Sequence, residues 1–155
     1  MLLNHYSIYW IKEEFAHFFY YRSEILCRFI KSYEQDQGRE DLASQFQYIT
    51  HDFPRTSLIA HIMDCLSSNT NMKKEDGLLK LYENERYISL HMEKKRINFR
   101  SDIIHDAEEL LFPALRSFQP YLFVVGNNTE DFGWVSPVCQ LTEKDRPGQV
   151  LYSCL

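Results

Sequence analysis

HYSIYWIKEEFAHFF, residues 5–19, changes its hydrophobic period part-way along, and that change decides the fold class. His5 to Ile11 is rich in aromatic and β-branched residues and almost continuously apolar, which suits an interior β-strand. From Lys12 the spacing lengthens. Phe15, Phe18, Phe19, Leu26, Phe29, Ile30 and Tyr33 recur at separations of three, four and seven, the pattern of an amphipathic helix. Glu34-Gln35-Asp36-Gln37-Gly38 then supplies the polarity and the glycine of a helix stop. A strand running directly into a helix points to a chain that mixes both.

Working outward, Gln45 to Thr50 (QFQYIT) alternates polar and apolar side chains and reads as a half-buried second strand. Leu58, Ile59, Ile62 and Leu66 form the stripe of a second helix, started by Pro54 with Thr56 or Ser57 as its cap. Asn69 to Asp76 reads as a polar loop. Leu78–Tyr82, Tyr87–Met92 and Arg96–Arg100 are short β-like runs between charged turns, an antiparallel meander. Ile103, Ile104, Ala107, Leu110, Leu111, Ala114, Leu115 and Phe118 predict a third helix, in which Pro113 requires a kink or an early end. Tyr121–Val125 and Phe132–Val138 complete the strands. The expected fold is α/β (α+β): one domain, residues 1–138, with a mixed central sheet of about five to seven strands flanked by three helices. Residues 139–155 are expected to form a polar, loosely ordered tail.

At 155 residues there is room for one hydrophobic core. The 22 acidic against 17 basic residues give a net charge of −5, which disfavours direct contact with nucleic acid. The short basic clusters Lys73-Lys74 and Lys94-Lys95-Arg96 are flanked by acids and read as solvated turns, or as a local contact with an acidic partner. The N-terminus lacks a signal-peptide pattern, and no segment reaches the roughly 18 apolar residues that span a bilayer, so a cytoplasmic protein without membrane contact is expected. Cys27, Cys65, Cys139 and Cys154 form no CxxC pair and are expected to be free thiols.

Catalytic chemistry finds little support. The glycines never fall into a phosphate-loop spacing, and no GxSxG elbow exists. His61, Asp64 and Cys65 share a helix face and could hold zinc with a further ligand, but packing explains them as well. His51-Asp52 and His105-Asp106 are the pairs from which a small enzyme would have to be built. Acids in a first helical turn, as at Asp106 to Glu109 and at Glu13-Glu14, are explained by the helix dipole. No cofactor, metal or small-molecule substrate is expected.

The first helix stands apart. Its main stripe covers an arc of about 140°, enough to face a core, and Ala16, Tyr20 and Cys27 widen it by about 80°. Either neighbouring elements cover both flanks, or the surplus is a binding face of the kind that supplies interface hot spots. A break near Tyr21-Arg22-Ser23, with Ser23 capping a new helix, would favour the second reading.

Taken together and in order, HYSIYWIKEEFAHFF, QFQYIT and the closing FGWVSPV (residues 132–138) resemble the sporulation inhibitor of replication family, SirA. The resemblance implies a non-catalytic regulatory protein that inhibits DNA replication during sporulation by binding the N-terminal domain of the initiator DnaA. It implies a partner-binding set of Phe15, Ala16 and Phe19 on the first helix, Gln45 and Tyr48 in the second motif, and Pro137 in the third. A tyrosine is familiar in the family at the position of Phe19, so a hydroxyl is missing here. The alternatives are an adaptor module for another partner, or a small enzyme using His51 or His105.

Overall fold

Seven strands hydrogen-bond into a single sheet in the order β2-β3-β4-β5-β1-β6-β7, so the first strand of the chain lies inside the sheet. The computed structural model describes residues 3–136. The strands are β1 (Asn4–Trp10), β2 (Asn71–Glu75), β3 (Leu78–Glu83), β4 (Arg86–Met92), β5 (Ile97–Ser101), β6 (Leu122–Gly126) and β7 (Phe132–Trp134). The helices are α1 (Glu13–Phe19), α2 (Ser23–Gln35), α3 (Glu40–Ile49), α4 (Arg55–Cys65), α5 (Ile104–Leu110) and α6 (Phe112–Phe118), with a 3-10 turn at Tyr20–Arg22 joining α1 to α2.

The α/β class is as expected, with four corrections. Every strand pairing is antiparallel, so the sheet is not mixed. Residues 71–75, read as loop, form edge strand β2, closed onto β3 by Asp76-Gly77. Both turn residues have positive φ, 49° and 80°, the backbone of a tight two-residue hairpin that Asp-Gly suits. The third correction is that six helical segments replace three helices. The long first helix breaks at Tyr20–Arg22, and the predicted third helix divides at Leu111, placing Pro113 in the first turn of α6, where a missing N–H costs nothing.

The remaining segment is QFQYIT, which is the end of helix α3 rather than a strand. Period two places Phe46, Tyr48 and Thr50 together. The helix instead buries Phe46 and Ile49, three apart, and turns Tyr48 outward. Only a single bridge, Ile11 with Thr50, remains of the expected pairing.

Two apolar clusters sandwich the sheet, and β1 feeds both by alternation. Tyr6 and Ile8 face α4, α5 and α6 together with Leu90, Phe99, Phe112, Leu115 and Val124. Tyr9 and Ile11 face α1, α2 and α3 with Leu26, Ile30, Phe46, Phe123 and Trp134. Ser23 does not cap α2. Its buried hydroxyl donates to the Tyr20 carbonyl (3.0 Å) and accepts from the Trp134 indole N–H (3.1 Å), tying the helix break to β7.

Candidate functional site

Backbone hydrogen bonds bring the first two sequence motifs together. Where β1 ends, the His51 N–H donates to the Trp10 carbonyl (2.8 Å) and the Lys12 N–H to the Ile49 carbonyl (2.8 Å), so the start of α1 is fastened to the end of α3. Helix α3 is in turn locked onto α2 by Tyr33, whose ring stacks on Phe46 at 4.2 Å and 11°. The Thr50 hydroxyl donates to the Phe46 carbonyl (2.6 Å) and finishes the helix. Glu13 and Glu14 oppose the dipole in the first turn of α1, and Glu13 also accepts a hydrogen bond from the Tyr121 hydroxyl (2.9 Å).

Between these anchored helices lies an apolar groove of about 540 Å³ lined by Glu14, Phe15, Phe18, Phe19, Phe29, Gln45, Tyr48 and Ile49. Phe15 meets Tyr48 edge-on at 5.3 Å, and Phe18 meets Phe19 edge-on at 4.9 Å. Tyr48 is 67% exposed and Phe18 53%. Lys12 sits over the Tyr48 ring at 5.4 Å, and Arg22 over the Phe18 ring at 4.8 Å, so cations edge the groove at both ends. The rings are therefore held by aromatic and cation contacts while keeping open faces.

Of the sequence-predicted set, Phe15, Phe19, Gln45 and Tyr48 converge on this groove. Ala16 is fully buried beneath it and presents no surface. Pro137 lies outside the described residues, as do Val138 and the whole predicted tail. Phe18 and Phe29 were missed as groove residues. Both were assigned to the core-facing stripe, yet Phe18 points outward because the helix stops after Phe19 and re-aims at Ser23.

The other candidates sit elsewhere. His51 is exposed beside Trp10, ring centres 4.5 Å apart, and His105 is exposed on α5 with its Nε2 2.8 Å from Glu109. His61 Nε2 is 3.5 Å from Cys65 Sγ, and it also contacts the Ala114 carbonyl (2.9 Å) and the Ser117 hydroxyl (2.8 Å). Among the described residues no three His, Cys, Asp or Glu side chains are gathered as metal ligands. Nor is any helix among them long and apolar enough to cross a membrane. Cys27, which is buried, and Cys65 are free thiols, and burial pushes the Cys27 thiol up.

The family model described as sporulation inhibitor of replication protein SirA matches residues 4–139. The chain belongs to the SirA family. It is 27% identical over 144 residues to the sporulation inhibitor of replication protein SirA of Bacillus subtilis (strain 168), covering 87% of this chain and 95% of that protein. The residues matched by the SirA model include β1, all those that line the groove, and β7.

Proposed function

We propose that this chain inhibits the initiation of DNA replication during sporulation by binding the N-terminal domain of the initiator DnaA through the groove between α1 and α3. One observation carries the reading: five aromatic rings, Phe15, Phe18, Phe19, Phe29 and Tyr48, line a single opening above a core that is already filled by Ala16, Leu26, Phe46 and Trp134. Phe15, Phe19 and Phe29 pack against that core on one side, and a partner would remove from water the apolar surface that the rings still expose. Membership of the SirA family, and a relative whose name describes inhibition of replication in sporulation, supply the process.

In this reading Phe15 and Phe19, one helical turn apart, are the anchors, and Tyr48 forms the far wall. Gln45, exposed on the same face of α3, supplies polar contact at the rim. Ala16 acts from below, since its small side chain lets α1 lie close to the sheet. Pro137 belongs to the same partner-binding set. Phe19 has no hydroxyl, so its share of the contact is the ring alone. The protein works in the cytoplasm by occupying a surface of DnaA, without a catalysed reaction, a cofactor or direct contact with DNA.

The test is a calorimetric titration of the purified chain against the N-terminal domain of DnaA. Saturable binding that Phe15→Ala and Phe19→Ala each weaken, in variants that keep their circular dichroism spectra, supports the reading. A folded wild-type chain that does not bind that domain refutes it.

A further inference from the structure

The sheet face that carries α2 and α3 is covered over β1, β6 and β7 but left open over β3, β4 and β5, and that open half is polar and concave. A cleft of about 560 Å³ there is lined by His5, Ser7, Ser89, His91, Asn98 and Arg100, with Glu34 of α2 and Gln37 of the turn after it as one wall and Arg96 beside them. The strand register explains the grouping. Ser89 is directly opposite Arg100 and His91 opposite Asn98 across β4 and β5. His5 is opposite Arg100 and Ser7 opposite Asn98 across β1 and β5. Directly opposed side chains stand about 5 Å apart, so Ser89, Arg100 and His5 form one row, with His91, Asn98 and Ser7 beside it.

Part of this lining is satisfied internally. Arg96 pairs with Glu34 and Glu93, and Glu34 also accepts from the Tyr9 hydroxyl (2.6 Å) and the Gln37 amide (2.6 Å). The Ser7 hydroxyl donates to Asn98 Oδ1 (2.8 Å) and accepts from Asn127 Nδ2 (3.0 Å), while Asn98 donates to Glu93. The first row is different. Among the described residues Arg100 has no acidic partner within ion-pair distance. Ser89 is only 8% exposed, lines the cleft, and its hydroxyl has no hydrogen-bond partner among the described residues. A buried hydroxyl without a partner next to an unpaired guanidinium, in a chain of net charge −5, is a donor set that lacks its acceptor.

We propose that this cleft binds a small phosphate-bearing molecule, with Arg100 gripping the phosphate, the Ser89 hydroxyl and the His5 and His91 rings donating to it, and the floor of Ser7 and Asn98 contacting the rest of the ligand. The volume suits a molecule of about mononucleotide size. Glu34 on the wall carries a negative charge that its bond to Arg96 offsets, and it sits on the side away from the Arg100 row.

The test uses the full chain in nuclear magnetic resonance and calorimetric titrations with inorganic phosphate, adenosine monophosphate, adenosine and a short oligothymidylate. Saturable one-to-one binding of the monophosphate, with adenosine silent and shifts confined to β4, β5 and β1, is expected. Arg100→Gln, an exposed and fold-neutral change, should weaken binding about tenfold, whereas Lys74→Gln, the same loss of charge away from the cleft, should not. Ser89→Ala should weaken it as well. A linear response without saturation, equal weakening by Lys74→Gln, or unchanged binding in Arg100→Gln overturns the proposal. Oligothymidylate bound more tightly than the mononucleotide also overturns it, in favour of a nucleic-acid strand.

Discussion

The two layers of helices flanking the sheet use their apolar residues differently. On the α4, α5 and α6 side, Leu58, Ala107, Leu111, Phe112 and Leu115 are wholly buried, and the sheet residues beneath them form one closed cluster. On the α1, α2 and α3 side the core is equally filled around Phe46, Phe123 and Trp134, yet a second tier of rings lies outside it with open faces. On the closed side the aromatic rings of α5 and α6 go into or against the core, and the large apolar residues it exposes are aliphatic, Met63 and Ile103. The open side has a surplus that folding does not need, and a surplus gathered into one groove is what a partner can bury.

The sharpest way to break this comparison is to cut a ring on the closed side. Phe112→Ala removes a fully buried side chain and should destabilise the fold by about 3–5 kcal/mol in urea denaturation. Phe15→Ala on the open side should instead reduce DnaA affinity by more than about 2 kcal/mol while unfolding stays cooperative. Similar losses of stability for both would erase the distinction.

A smaller effect is expected where the open side meets its own core. Ser23→Ala strips the Trp134 indole N–H of its acceptor in a fully buried position and should cost about 1–3 kcal/mol, read from the same denaturation curves. The Tyr9 hydroxyl is the mildest case. Burial, then the charge of Glu34, holds its pKa above the ordinary tyrosine value. Its stabilising contribution is therefore complete below about pH 10, where the unfolded phenol titrates, and is lost as pH rises beyond that. Tyr9→Phe should cost about 1 kcal/mol at neutral pH and flatten the loss of stability on going to alkaline pH.

Much of this division was legible in the residues. The strand at residues 5–11, the meander and the run at 121–125 follow from period and β-branched content, and the excess of rings on the first helix was visible as a stripe too wide for one sheet. The break at Ser23 could be named but not required, because Ser23 serves as a buried hydrogen-bond partner of Trp134, more than a hundred residues away, and not as a local cap. QFQYIT misled because six residues fit both periods. Its helix is decided by Tyr33 stacking on Phe46 and by the backbone bonds to Trp10 and Lys12, which are long-range contacts. Strand β2 escaped because an edge strand carries Lys73, Lys74 and Glu75 where an interior one carries apolar residues. The misreading of the second half also hid part of the site: period two puts Gln45 and Tyr48 on opposite faces of a strand, whereas on helix α3 they are three apart and neighbours on one face.

Tyr48→Ala tests the central claim most directly, because Tyr48 is the most exposed ring of the groove and its loss should change stability by no more than about 0.5 kcal/mol. Titration of this variant against the N-terminal domain of DnaA should show affinity reduced by about 2 kcal/mol or more, with an unchanged denaturation midpoint. Wild-type affinity in a Tyr48→Ala protein that is fully folded would contradict the account.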